Sequence, residues 1–328
     1  MSRLLALGIE STAHTFGVGV ASSQGEILAN VNSQYIPRGG GIHPREAAQT
    51  HTRNAVKTVL AALREAGIGL SSVDVVAFSQ GPGLGPCLRT GATVARTLSL
   101  ALGKPLVGVN HGIAHIEVGK LVTRCRDPLV LYVAGGNTLI TCLVERRYRI
   151  LGETLDIAAG NCLDAFGISA GIGPMPAPEN LSESGSTLYP LPYRVKGMDI
   201  SLSGVLTACE KLLLSGARLE DVCLSITETV YSMLTEVVER ALAYTGKSSL
   251  LIVGGLARSR RLREMLECMC SERGVTVYTV PPELAGDNGA MIAWTGLLHF
   301  MSGYRTPVNE SHVRPRMRID EVEVGWSS

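Results

Sequence analysis

The chain has 328 residues, 45% of them hydrophobic, with 37 glycines, eight cysteines and a formal net charge of +1. That length is enough for two lobes with a core each, and the near-neutral balance excludes a global field drawing the protein to nucleic acid or an anionic membrane, so any such partner must use a local patch. The cysteines (87, 125, 142, 162, 209, 223, 268 and 270) form no Cys-x-x-Cys pair, Leu4 to Ile9 enters a strand with no signal-peptide pattern, and no apolar run reaches membrane-spanning length; reduced thiols, a cytoplasmic location and no membrane partner are expected.

Leu4 to Glu10 reads as a strand and Phe16 to Ala21 as a second, with Ser11 to Thr15 turning between them, and Glu26 to Val31 as a third after Gln24-Gly25. Gly39-Gly40-Gly41 is a hinge or loop. Pro44 suits the first position of a long helix ending at Gly67, whose Ala47, Ala48, Ala55, Ala61 and Ala62 offer a small-residue face to a partner helix or to the protein's own sheet. Val73 to Phe78 is a β-rich run that breaks at Ser79-Gln80-Gly81-Pro82-Gly83-Leu84-Gly85-Pro86, and the helix after it closes at Gly103. Pro105 to Val109 reads as a short buried strand ending at Asn110, followed by a helix from about His111 to Lys120. On that helix His111 and His115 share one face, a spacing by which two imidazoles can grip one metal ion. Spacing alone leaves open two separately hydrogen-bonded histidines.

A second pass then begins. Leu129 to Val133, Leu139 to Val144 and Tyr148 to Leu151 read as strands, the first two joined by Ala134-Gly135-Gly136-Asn137-Thr138. Gly167 to Tyr193, rich in Gly, Pro and Ser, reads as a long irregular stretch. Leu219 to Tyr244 has helical spacing and stops at Thr245-Gly246. Leu250 to Val253 is a buried strand breaking at Gly254-Gly255, followed by a helix from Ser259 to Arg273, a strand from Val275 to Val280, and a last helix from about Asn288 to Met301. The order of elements at residue 4 returns near 129, and that at 73 returns at 250. A duplicated α/β chain with paired strand-turn-strand loops suggests the actin-like (ASKHA) two-lobed fold of sugar kinases and Hsp70-like ATPases, with mixed sheets and turn amides that cradle phosphates. The expected lobes are 1–127 plus 303–328, with the metal-binding helix, and 128–302, with the nucleotide loops, a cleft lying between them.

Many short matches in one order carry a more specific resemblance. They are Gly8-Ile9-Glu10-Ser11-Thr12, Gly40-Gly41-Ile42-His43-Pro44 with His51, Phe78-Ser79-Gln80-Gly81-Pro82-Gly83-Leu84, and Asn110-His111 through His115. Tyr132 with Gly135-Gly136-Asn137-Thr138, Gly152 to Asp156, Gly160-Asn161 with Asp164, Lys196 to Asp199, Ser203-Gly204 and Asp287-Asn288-Gly289-Ala290 follow. Together they resemble the universal tRNA threonylcarbamoyladenosine (t6A) threonylcarbamoyl-transferase family, in the form of the catalytic subunit of the archaeal and eukaryotic KEOPS complex. The resemblance implies transfer of threonylcarbamoyl from threonylcarbamoyl-AMP, an ATP-derived adenylate, to N6 of adenosine 37 in tRNAs reading codons that begin with A. It implies one divalent ion, iron or zinc, on His111, His115 and Asp287, with Tyr132 as a further ligand or neighbour. It also implies nucleotide contacts from Gly135, Gly136, Asn137 and Asp164, and partner subunits comprising a small atypical kinase and a dimerising helix donor. Two imidazoles and a carboxylate leave open positions for a substrate oxygen, although Asp287, just before a helix, also reads as an ordinary N-cap.

Two departures fall on the adenosine end. Where the family has Gly-Gly this chain has Pro176-Ala177, and Pro lacks both the glycine's freedom and an N–H. Where the family has an asparagine pair this chain reads Ala257-Arg258-Ser259-Arg260, and Ser cannot reproduce an amide's paired contacts. Ala177 and Ser259 therefore stand at altered nucleotide positions, with adenylate affinity expected to be altered or reduced. They also open an alternative, a degenerate paralogue acting as a metal-containing scaffold; a metal-dependent ATPase or kinase is a weaker one. Peptidase chemistry needs a Glu after the first His, and that position is Gly112. Arg45, Arg53 and Lys57, the arginines at 258, 260, 261 and 263, and those at 314, 316 and 318 are candidate phosphate contacts for tRNA.

Overall fold

The computed structural model describes residues 3–37 and 41–326, so Gly39 and Gly40 of the expected hinge lie outside the described residues. The chain forms two compact units, one of Met1–Val122, Val144–Tyr148 and Asp287–Ser328, the other of Thr123–Leu143 and Arg149–Gly286.

The first unit opens with strands β1 (Leu5–Glu10), β2 (Thr15–Ser22) and β3 (Ile27–Gln34), then helix α1 (Pro44–Glu65), strand β4 (Val75–Gly81), helix α2 (Gly85–Leu102), strand β5 (Leu106–Asn110) and helix α3 (His111–Thr123). Its sheet runs β3-β2-β1-β4-β5, with β1 antiparallel to β2 and parallel to β4. Alternate residues of a strand face opposite sides. Leu7, Ile9, Phe16, Val18 and Val20 therefore share one face, buried against Ala55, Val59 and Ala62 of α1 and Ala92 and Ala95 of α2. The small-residue side of α1 thus packs on the protein's own sheet.

The second unit repeats the plan. Strands β6 (Leu129–Val133), β7 (Thr138–Val144) and β8 (Arg147–Glu153) are followed by α4 (Ala159–Ser169), α5 (Ala177–Ser182), a hairpin of β9 (Val195–Lys196) and β10 (Asp199–Ile200), α6 (Ser203–Leu214), α7 (Leu219–Thr245), β11 (Ser249–Val253), α8 (Arg260–Glu272), β12 (Thr276–Thr279) and α9 (Pro282–Ala285). The sheet order β12-β11-β6-β7-β8 is that of the first unit with β6, β7, β8, β11 and β12 standing for β1 to β5. Val222, Ile226, Val230, Leu234 and Val238, spaced by four on α7, are fully buried in its core, each contributing about 1.5–3 kcal/mol by leaving water. The stretch 167–193, expected to be irregular, begins with the last turn of α4 and contains α5.

The last helix, α10 (Gly289–Met301), corrects the expected boundary, because residues 287–302 belong with the first unit rather than the second. The cause is a glycine floor. Gly8 and Gly19 are paired across β1 and β2, and a Cβ on either would stand 2.1 or 2.2 Å from a backbone nitrogen of α10. Only glycine lets a helix backbone lie this close to a sheet. The following segment closes the other edge: Thr306 N–H donates to Leu106 O at 2.9 Å and Arg314 N–H to Gln80 O at 2.8 Å.

Near the end of α10, His299 is buried against the rings of Tyr304 and Trp326. Burial pushes its imidazole down to about 4, so the folded protein holds it neutral while an unfolded chain would protonate it near 6.5. Stability supplied by the neutral ring is complete above that pH and is lost as pH falls through the window to about 4, by up to roughly 3 kcal/mol. Thermal unfolding from pH 7 to 4.5 should therefore show a smaller loss in His299→Leu than in the wild type; equal slopes would contradict the burial of a neutral ring.

No described helix is long and apolar enough to cross a membrane, and the eight cysteines are free thiols, of which Cys268 alone is exposed.

Candidate metal and nucleotide sites

Asn110 ends β5 and starts α3. Its Oδ1 accepts the N–H groups of Gly112 and Ile113 at 2.9 and 3.1 Å, satisfying amides that a helix start leaves without partners. Its Nδ2 donates to the carbonyls of Met317 and Arg318. From His111 to Gly119 every residue of α3 is buried, which is why the segment is apolar all round rather than striped. Two histidines on such a helix are held rather than solvated. Their rings meet edge to face, with centroids 4.7 Å apart.

Asp287 comes from the far end of the sequence. Its Oδ1 lies 3.4 Å from Nε2 of His111 and 3.4 Å from Nε2 of His115, and one donor atom from each of the three residues falls within 4.8 Å of the others. The N-cap of α10 is Asn288, which accepts Met291 N–H at 2.9 Å, so capping does not account for Asp287. A carboxylate and two imidazoles converging on one point fit a borderline divalent cation such as zinc or ferrous iron.

Sequence reasoning missed the group behind this trio. Glu10, the fully buried last residue of β1, accepts from Nδ1 of His111 at 2.9 Å, and its other oxygen accepts the N–H and O–H of Thr12. Glu10 stands in the matched Gly8–Thr12 motif, but nothing local indicates that it meets a residue a hundred positions on. Burial alone would lower the His111 pKa, yet the negative charges of Glu10 and Asp287 hold it up at about 10. Burial lowers His115, assisted by the charge on His111. Asp287 is held well below the usual carboxylate range by the two histidines despite its burial.

The residues expected to contact a nucleotide lie in the second unit. Between β6 and β7 the chain turns through Gly135 and Gly136, both exposed, and closes with Ala134 N–H on Asn137 O at 2.8 Å. The first turn of α4 packs on this loop: Asn161 N–H donates to Gly135 O at 3.0 Å, and a Cβ on Gly160 would meet Ala134 O at 2.7 Å. Asp164 follows one turn later and accepts Met175 N–H at 2.8 Å. Gly135, Gly136, Asn137 and Asp164 are thus gathered by one helix and one turn. Tyr132 is buried on β6 of the same unit.

The two departures are structured. Ala177 opens α5, which brings buried Glu179 to the Tyr231 hydroxyl at 2.9 Å and the Arg261 N–H at 3.1 Å. Ser259 is buried and its hydroxyl accepts Leu262 N–H at 3.0 Å as the N-cap of α8, a local role that its place before a helix signals. The basic groups also separate. Arg260 pairs with Glu183 and Glu264, Arg261 binds Glu228 through two nitrogens, and Arg314 and Arg318 pair with Glu321 and Asp320. Among the described residues no carboxylate pairs with Arg45, Arg53 or Lys57, all exposed on α1.

Comparison with known proteins identifies the family. The family model described as TsaD, tRNA N6-adenosine threonylcarbamoyltransferase, matches residues 26–294. A protein of Thermofilum pendens named tRNA N6-adenosine threonylcarbamoyltransferase is 58% identical over 331 aligned residues, covering 100% of this chain and 98% of the relative. One of the same name from Archaeoglobus fulgidus is 52% identical, covering 98% of this chain and 100% of its own length. A Methanocaldococcus jannaschii protein named probable bifunctional tRNA threonylcarbamoyladenosine biosynthesis protein is 51% identical, and this chain spans 60% of it. Among solved structures, T. kodakarensis HypF superposes with a TM-score of 0.62 at 15% identity, over 92% of this chain and 48% of that one. Component A of the Acidaminococcus fermentans (R)-2-hydroxyglutaryl-CoA dehydratase gives 0.56 at 12% identity, over 90% and 97%. These two likenesses show the duplicated ASKHA-type fold alone. The family-model match over most of the chain and the full-length identity to these relatives place this chain in the tRNA N6-adenosine threonylcarbamoyltransferase family.

Proposed function

We propose that this protein transfers threonylcarbamoyl from threonylcarbamoyl-AMP to N6 of adenosine 37 in tRNAs reading codons that begin with A, in the cytoplasm. The observation that carries the reading is the convergence of His111, His115 and Asp287, with Glu10 behind them. A zinc or iron ion held there would act as a Lewis acid and template for the threonylcarbamoyl group. The rest falls to the chain itself. The amides at Gly135 and Gly136 offer donors to phosphate oxygens, as exposed glycine turns beside a helix start do. Asp164, on the helix that packs against this loop, is proposed to accept ribose hydroxyls, and Asn137 fixes the loop through its carbonyl. Tyr132 is proposed as a further ligand or neighbour of the ion, and Ala177 and Ser259 as residues bordering the adenosine.

Arg45, Arg53 and Lys57, exposed and without acidic partners among the described residues, are the better-suited phosphate contacts for tRNA; Arg260 and Arg261 of α8 already pair with carboxylates. Work inside a KEOPS-like assembly is supported by Val56 and Leu60 on α1 and Leu100 on α2, which are 71%, 53% and 67% exposed. Helices α1 and α2 pack side by side, and these residues suit a helix from the dimerising subunit; the atypical kinase is the second proposed partner.

The test is a transfer reaction. Protein with its partner subunits, threonylcarbamoyl-AMP and unmodified tRNA are incubated, and the digested nucleosides are weighed by mass spectrometry. Threonylcarbamoyladenosine is the expected product. Its absence, with metal bound and partners attached, would favour the scaffold reading and direct attention to Pro176, Ala177 and Ser259.

A further inference from the structure

We propose that Glu10 is a positioning residue that ties the β1–β2 turn to the metal pair and sets how tightly and in what geometry the ion is held. The inference rests on the metal reading above. Both oxygens of this fully buried carboxylate are used: Oε2 takes Nδ1–H of His111 at 2.9 Å, and Oε1 takes Thr12 N–H at 2.6 Å and Thr12 Oγ1–H at 2.5 Å. With Nδ1 committed, only Nε2 of His111 is left to face the ion, and that is the nitrogen aimed at Asp287. A carboxylate on the far nitrogen of a ligating histidine fixes its tautomer and ring plane and strengthens it as a donor.

The other half of the carboxylate is fixed just as firmly. Thr12 O accepts Leu84 N–H at 2.7 Å, and a Cβ on Gly83 would stand within 2.9 Å of Thr12 backbone atoms. Ser11 N–H donates to Ser79 Oγ at 3.0 Å, and the Ser11 hydroxyl donates to Cys87 O at 3.1 Å. The turn is therefore clamped between β4 and α2, and Glu10 is the part of it that reaches the metal helix. A shift of the turn would be felt as a rotation of the His111 ring.

The experiment uses the full chain, with Zn²⁺ competed against a fluorescent chelator and Co²⁺ added as a spectroscopic probe. Glu10→Gln keeps the shape but places an amide donor where an acceptor is needed. Its Zn²⁺ dissociation constant should rise about 10–100-fold, and its Co²⁺ visible bands should differ from the wild type at saturation, a change that loss of stability alone would not produce. Thr12→Val should weaken binding about 2–10-fold, the equivalent of one hydrogen bond, and Thr12→Ser should restore it. Unchanged affinity and spectrum in Glu10→Gln would overturn the inference; should that variant not fold, equal affinities in Thr12→Val and Thr12→Ser would do so. A wild-type chain that binds no Zn²⁺ more tightly than His111→Ala/His115→Ala would instead overturn the metal reading itself.

Discussion

His115→Ala is expected to lose at least about a hundredfold in both divalent-ion affinity and threonylcarbamoyl transfer while staying folded. Disturbing a hydrogen bond behind a ligand costs about 10–100-fold in affinity, and removing one of three protein donors should exceed that. Folding should survive because His115 is buried as a neutral ring, alanine is the best helix former, and truncation costs about 2–5 kcal/mol at a core position. His111→Ala is the less clean choice. It would strand the Glu10 carboxylate, 0% exposed, and breaking a buried pair by removing one partner costs about 3–5 kcal/mol. Metal content by elemental mass spectrometry and product by nucleoside mass spectrometry make the comparison. A folded His115→Ala protein with wild-type metal content and activity would remove this residue from the site.

Gly8→Ala should destabilise the first unit by 3 kcal/mol or more, although it adds a single methyl group. The new carbon would stand 2.1 Å from Ala293 N and 2.5 Å from Gly289 O, and both are backbone atoms that no rotamer change can move. Overpacking an ordinary core costs about 1–3 kcal/mol, and a helix backbone on a sheet has less room to yield. For a domain of this size each kcal/mol lowers Tm by about 2–4 °C, so a fall near 10 °C is expected. Because α10 carries Asp287 at its start, ion affinity should fall as well. Gly41→Ala, whose Cβ would meet nothing within 4 Å, is the control and should shift stability by no more than about 0.5 kcal/mol. A Tm unchanged in Gly8→Ala would mean that α10 does not lie on β1 as described.

What could be read in advance depended on how local each cause is. The strands at 129–133 and 139–144 and the helix at 219–245 announce themselves by periodicity and terminal glycines, and they sit within a residue or two of where they were expected. The His111–His115 pair was legible because a helix converts a spacing of four into adjacency. Asp287 was legible only through resemblance, since nothing near it points to α3. The place of α10 was not legible: Gly8 and Gly19 lie inside the expected strands with nothing local to mark them, and their purpose appears only when a helix made at the other end of the chain lies on them. Helices α4 and α6 were passed over because Gly160, Gly167 and Gly204 lower the local helical signal, while tertiary packing of Leu163, Phe166, Val205 and Cys209 supplies what propensity lacks. Ser259 was legible as a cap, because a serine directly before a helix satisfies one of its first amides.

The route of the chain also sets an order in time. A ribosome delivers residues from the first to the last, and domains fold as their parts become available. The second unit has all its residues once position 286 has emerged, whereas the first still lacks α10, which covers one face of its sheet, and the segment whose amides bond to Gln80 and Leu106. The unit that begins the chain is thus the one that must wait. His111 and His115 are made early and meet Asp287 late, so a nascent chain stalled before Asp287 lacks one of the three proposed ligands.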